Sequence, residues 1–536
     1  MKKIIAIYSM VAVMIVASSC ELDLQQDPNN LSPESASVDF VLNSAQFAFK
    51  DWYYESHELA MQMARITDSN PRADTYIGWN QPEDYDDIWE LTYTSILSDI
   101  NTLVPLAEDK ELGIHAGIGK VLRAYLLMSM VDMFGDIPFS EALDPNNFEP
   151  AADDGASIYA TAEADLISAI ADFQAGGAAP TSDIFYGGDA ASWQALANTL
   201  LLRKELTTRL VGGSSTTING LIGSTITAGQ DFAFQHSANA QAPDSRQEFF
   251  LDNYVSGGSD YQSNYFMWLL VGENRPYGTD PRSRYYFYRQ ADFHTTDVNE
   301  MNCVQETRPG HYPTNGPWCQ DFLPEGYWGR DHLDTDGIPP DGQLRTLFGV
   351  YPAGGAFDDD SFNTGANSTN LGGAGIHPMM MSFWVDFMLA EAVIAMGVNG
   401  DAAEYLRNGI EGSVDYVMNF GSSIADADFI PTDTQIGNYV DAIIADFNSR
   451  DNNGKLDLIA EQYYIALYGN GVEPMNLYRR TGMPSNIQLP LVPQPGEFVR
   501  SFFYPAKAVN TNNNFDQKVT LNNANVFWDT NPAALN

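Results

Sequence analysis

Apolar residues recur every three to four positions from Val38 to about residue 211, a period that predicts helices. VDFVLNSAQFAFKDWYYESHELAMQMARI, residues 38–66, is long, amphipathic and free of Gly and Pro. The loop SNPRADTYIGWNQPED follows, then a second helix through IWELTYTSILSDINTLVPLA. In the third, Ile118, Val121, Leu122, Tyr125 and Met128 keep helical spacing, while Leu126, Leu127, Met130, Val131 and Phe134 fill most of the remaining circumference. A helix apolar nearly all round is packed on several sides. Gly135 supplies a left-handed C-cap and Pro138 blocks continuation. Two more helices fit residues 157–173 and 192–210. Short connections between helices predict stacked antiparallel pairs of the tetratricopeptide type, although no clean period of 34 is present.

From residue 212 to about 375 the helical period gives way to Gly, Ser, Asn, Asp, Pro and aromatic residues, as in PYGTDPRSRYYFYRQ and VYPAGGAFDDDSFNTGANSTNLGGAG. A structureless loop of that length is rare, so short strands and turns packed on the helical part are expected. Helix returns in HPMMMSFWVDFMLAEAVIAMG, with Pro378 at a first-turn position and Gly397 as the stop. The pattern continues over 402–420, 439–448 and 456–468, and the tail from Gln488 is irregular. The expected architecture is mainly α: one domain over 20–536, with a helical scaffold from 36–211 and 376–485 carrying a loop-rich insertion at 212–375.

The start of the chain changes this picture. MKKIIAIYSMVAVMIVASSC has Lys2 and Lys3, an apolar run from Ile4 to Ala17, two serines and Cys20. That is the layout of a secretory signal over residues 1–19. It resembles a lipobox in which Cys20 is lipidated, with Ala17 in place of the usual leucine. Acyl chains contribute about 0.8 kcal/mol per buried methylene, so the chain is expected to be anchored to a membrane. No later segment reads as long and apolar enough to cross one. The formal net charge of −43 repels nucleic acid and anionic lipid surfaces, which removes both as expected partners. Cys303 and Cys319 remain, and two thiols in an exported protein are expected to form a disulfide worth about 3 kcal/mol.

Catalytic signatures are missing from the sequence. His57-Glu58 begins a zincin pattern but Met61 stands at the place of the second histidine, and the seven histidines are scattered. Gly117-Ile118-Gly119 opens a dinucleotide fingerprint that ends at Leu122. HLDTDGIPPDGQ places Asp334 and Asp336 at calcium-loop positions but His332 and Gln343 at the two ends, so no EF-hand forms. A looser calcium site from Asp331, Asp334 and Asp336 stays open as a weaker alternative to no cofactor at all. Arg123 and Asp132 stand in the apolar third helix, about two and a half turns apart, and cannot pair with one another.

Several segments in order resemble the SusD/RagB family of outer-membrane nutrient-binding lipoproteins, in its second large branch. GKVLRAYLLMSMVDMFGDIPFSEAL is similar to that family's most recognisable helix and turn, and SWQALANTLLLRKELTTRL to the next helix. MSFWVDFMLAEAVIAMG with AAEYLRNGIEGSV resembles its later helical hairpin, and IAEQYYIALYGNGVEPMNLYRRTGMP its last. Pro474-Met475 and Ala508 depart from the usual pattern. The resemblance implies a SusD-like fold and structural roles for Arg123 and Asp132. It implies a non-enzymatic lipoprotein on the outer face of the outer membrane that captures an oligosaccharide, or a peptide, for a SusC-like TonB-dependent transporter. A glycoside hydrolase and a helical-repeat adapter for proteins are the competing readings.

Sugar rings stack on aromatic faces and their hydroxyls take Asn, Asp or Arg partners. Arg72, Tyr76, Trp79 and Asn80 lie in a loop where members of the resembled family often place ligand contacts. The insertion adds Trp268, Tyr277, Trp318, Tyr327 and Trp328. Trp89, Trp193 and Trp384 sit in helical patterns and are expected in the core.

Overall fold

Helix α3 (Gly113–Phe134) is the centre of the molecule, and every residue in it except Gly113 and Arg123 is buried. It follows α1 (Val38–Met63) and α2 (Leu97–Asp109) and precedes α4 (Gly155–Ala175) and α5 (Ala190–Thr207). Beyond the insertion come α6 (Ser382–Met396), α7 (Ala402–Phe420), α8 (Asp433–Ser449), α9 (Asn452–Ala466) and α10 (Val472–Thr481). This computed structural model describes residues 37–68, 73–258, 260–335, 344–365, 370–514, 516–520 and 524–536. Cys20, the signal segment, Arg72 and Asp336 lie outside the described residues.

Successive helices pack as pairs, α2 on α3, α3 on α4, α4 on α5 and α6 on α7. Helix α10 closes the arrangement by packing on α1, α3 and α5, so the two ends of the chain share a core. By length and composition α3 could cross a membrane, contrary to the expectation that no such segment exists. Its apolar surface is instead consumed by the neighbouring helices. Gly117 and Gly119 allow that approach: a Cβ on Gly117 would stand 2.5 Å from the Phe173 ring of α4, and one on Gly119 3.0 Å from Val104 of α2. The glycines that mimic a dinucleotide fingerprint are close-packing positions.

Among the described residues three two-stranded antiparallel ladders order the insertion, two of which tie it to the helical part. Strand β1 (Thr67–Asp68) pairs with β3 (Tyr261–Gln262), β2 (Phe232–Gln235) with β6 (Ile376–Met380), and β4 (Phe287–Tyr288) with β5 (Leu347–Phe348). Pro378 therefore lies in β6, and α6 starts only at Ser382; the ladder to β2 overrides the first-turn preference of proline. The insertion also contains the helix Asn264–Val271, NYFMWLLV, whose uniformly apolar sequence shows no amphipathic period. Cys303 and Cys319 are disulfide-bonded. Their loop has its own small core of Tyr261, Met301, Tyr312, Trp318 and Trp328.

Several charges buried among the helices are paired. Arg123 is held by Asp165 of α4 through two bonds of 2.7 Å. Asp132 is fully buried and accepts from Arg203 of α5 (2.6 Å), Asn476 of α10 (2.8 Å), Trp528 of the tail (2.9 Å) and the Tyr159 hydroxyl of α4. Arg203 also bonds Glu473. Arg123 and Asp132 thus meet partners on other elements, and their role is architectural.

Candidate functional site

The aromatic residues of the two predicted loops are turned into the protein. Tyr76 is buried; its N–H donates to Pro495 (2.9 Å) and its hydroxyl accepts from Arg65 (2.7 Å). Trp79 packs on Phe502, and the buried Asn80 side-chain Oδ1 accepts from the Tyr85 hydroxyl (2.6 Å) and the Phe503 N–H (3.0 Å). This segment is thereby stitched to the tail. In the insertion, the Trp268 indole donates to Asn274 (2.7 Å) and is covered by Arg275, 4.6 Å from the ring centre. Tyr327 lies under Arg289 at 4.9 Å, and Trp318 and Trp328 fill the core behind the disulfide. Tyr277 alone of the described candidates is half-buried, with its hydroxyl on Asp446. All nine tryptophans of the chain are buried. Turn-rich sequence signals irregular backbone, but a large ring on such backbone finds its lowest free energy in pinning the loop to the scaffold.

The structure does bring the two predicted loops to one side. Tyr312 of the disulfide loop donates to Leu489 (2.8 Å), and the Tyr76 segment meets Pro495. Between them lies a hollow of about 490 Å³ lined by His311, Pro490, Val492, Pro495 and Asn536. The calcium reading is not supported by the described residues. Asp331 is buried, and its two oxygens accept from the Cys319 N–H (2.8 Å) and Gln488 (2.6 Å), while Asp334 stands 3.9 Å from Arg330. Carboxylates facing N–H donors and a guanidinium are the opposite of a cation cage.

A second hollow, of about 570 Å³, opens between the α6–α7 hairpin and residues 222–231, which lead into β2. Its size falls in the ordinary range for small-ligand sites. The rings of Phe383, Tyr405 and Tyr416 line it beside the carboxyl groups of Asp231, Asp386 and Asp415, and no Lys, Arg or His does. Both tyrosines are partly buried and keep some contact with solvent. Burial alone pushes the Asp386 carboxyl up to about 6. Burial, reinforced by Glu411 and Asp433, also raises Asp415. Asp231 is raised by burial although its carboxylate accepts the Ser382 N–H (2.7 Å) at the start of α6. Partly wet aromatic rings beside acceptor oxygens can hold the C–H faces and hydroxyls of a neutral, polyhydroxylated ligand, and they repel anions. Helical periodicity assigns Tyr405, Tyr416 and Asp386 to a packed hairpin. The available signal is Asp386 itself, an acid inside the otherwise apolar run SFWVDFML.

Residues 28–298 and 348–505 match the family model SusD-like_2, described as "Starch-binding associating with outer membrane". No curated protein matches the chain. Among solved structures, a chitin-binding protein is 19% identical with a TM-score of 0.68, covering 92% of this chain and 100% of that one. A SusD/RagB family protein from Bacteroides thetaiotaomicron VPI-5482 is 17% identical with a TM-score of 0.65 over 93% and 100% of the two chains. A SusD homolog from Bacteroides fragilis NCTC 9343 is 18% identical with a TM-score of 0.66 over 92% and 99%. At these identities the likeness is one of fold.

Proposed function

This chain belongs to the SusD-like_2 family, and on that premise we propose that it captures a neutral oligosaccharide at the outer membrane and passes it to a SusC-like TonB-dependent transporter without cleaving it. Lipidation at Cys20 would hold it there. The observation that carries the reading is the hollow at the α6–α7 hairpin, where Tyr405 and Tyr416 stand beside Asp231, Asp386 and Asp415 with no cation among the lining residues. Ring stacking supplies affinity and the carboxylates order the hydroxyls. Because Asp386 is protonated below a pH of about 6, its acceptor strength grows as pH rises through that value.

The test is calorimetric titration of starch- and chitin-derived oligosaccharides into the chain, with Tyr416→Ala and Asp386→Asn alongside. Loss of one stacked ring should weaken binding by about 3- to 10-fold, equivalent to about 0.5–1.5 kcal/mol. Asp386→Asn should remove the pH dependence near 6. If both variants bind as the native chain does, the hollow is not the site, and the surface between the Tyr76 segment and the disulfide loop takes its place. Binding of peptides in preference to sugars would reassign the ligand. Product release abolished by a single Asp substitution would make the protein a glycoside hydrolase.

A further inference from the structure

Two of the scattered histidines meet in space. Strand β2 pairs with β6 so that Phe234 faces His377, and the His236 N–H, one residue beyond β2, donates to Gly375 (2.9 Å). This register sets the two imidazoles at right angles with ring centres 4.5 Å apart. Glu248, at the start of the short helix Glu248–Phe250, reaches the same point from below. His377 Nε2 lies 3.1 Å from Glu248 Oε2 and His236 Nε2 lies 3.7 Å from it, and all three atoms are within 4.8 Å of one another.

The three atoms are buried, and none makes a directed hydrogen bond among the described residues. The histidines are 8% and 3% exposed, so water does not freely compensate them. His236 Nδ1 sits 3.2 Å from the Ser245 carbonyl oxygen, an acceptor only, so Nδ1 carries the proton and Nε2 presents a bare lone pair. That is the outer-shell arrangement that orients a metal-bound imidazole. A proton on His377 would satisfy its own contact with Glu248 and still leave His236 unpaired. Lys50 bonds the other Glu248 oxygen (2.7 Å) and is itself offset by Asp51 (2.9 Å), so it fixes the carboxylate without occupying Oε2.

The geometry points to a divalent transition-metal site, of the zinc class, formed by His236 Nε2, His377 Nε2 and Glu248 Oε2. Tetrahedral ligands about 2.0–2.1 Å from zinc stand about 3.4 Å apart, and the separations of 3.1 and 3.7 Å bracket that figure. Two imidazoles with one carboxylate select zinc-like ions over calcium or magnesium, which take oxygen ligands. A tetrahedral zinc would take its fourth ligand from a water or a ligand oxygen. Bound metal would pin the β2–β6 ladder to the Glu248 helix and, through Lys50, to α1.

The experiment strips the purchased-ion background from the whole chain with a chelator and titrates zinc ion alone by calorimetry, with bound metal counted after gel filtration. The expected result is one zinc per chain. His236→Asn, His377→Gln and Glu248→Gln should each weaken it by about a hundredfold or more, and His311→Asn should leave it unchanged. Visible absorption of the cobalt(II)-loaded native chain reads the same site without any variant, through the strong bands of a four-coordinate nitrogen-ligated ion. Absence of stoichiometric zinc, retention of zinc in all three ligand variants, or only the weak bands of six-coordinate cobalt would overturn the proposal.

Discussion

Asp132 shows how one charged residue specifies this architecture. Four donors from α4, α5, α10 and the tail converge on a carboxylate that water does not reach. Such a group is stable only with its partners in place, because an uncompensated buried charge is costly. Arg203→Met strands Asp132 and Glu473 together, and should lower stability by about 3–5 kcal/mol in urea unfolding. Arg123→Met should cost much less, since the Arg123–Asp165 pair retains partial solvent contact. That Arg123 and Asp132 seek partners elsewhere is legible in their spacing. Which partners they find is not, because Tyr159, Arg203, Asn476 and Trp528 come from four separate segments.

Helix α3 is the element on which the fold turns, and its glycines record how closely its neighbours approach. Gly117→Ala places a methyl group against the buried Phe173 ring, and overpacking of about 1–3 kcal/mol outweighs the gain of about 1 kcal/mol in helix propensity. In α8, by contrast, a Cβ on Gly437 meets nothing within 4 Å. Gly437→Ala should therefore stabilise by about 0.5–1 kcal/mol. Opposite shifts in Tm would confirm that packing, rather than intrinsic propensity, explains the glycines of α3; equal shifts would refute it. The helices themselves were legible, with ends displaced by a few residues. The apolar helix Asn264–Val271 and the strand around Pro378 were not, since a short apolar run carries no period and a ladder depends on a distant partner.

At the scale of the molecule, the two parts of the helical scaffold are clasped by Glu391 of α6, which accepts from Arg480 of α10 (2.9 and 2.7 Å) and Arg209 beyond α5 (3.2 Å). Burial would raise the Glu391 carboxyl, but the two guanidinium groups outweigh it and hold it below the usual value of 4.5. A carboxylate depressed in the folded state binds fewer protons there than when unfolded. Its contribution is thus complete above about pH 4.5 and lost as pH falls through the folded value. Glu391→Gln should flatten that acid limb while costing about 3–5 kcal/mol at neutral pH, read from denaturant midpoints across pH. The helical scaffold, the interrupted middle and the family can be read along the chain, because periodicity, turn residues and ordered segments are local properties. Which rings are buried, which carboxyls share the α6–α7 hollow and which histidines meet emerges only on folding. Those outcomes depend on the free energy of contacts between residues distant in sequence, and no local pattern encodes them.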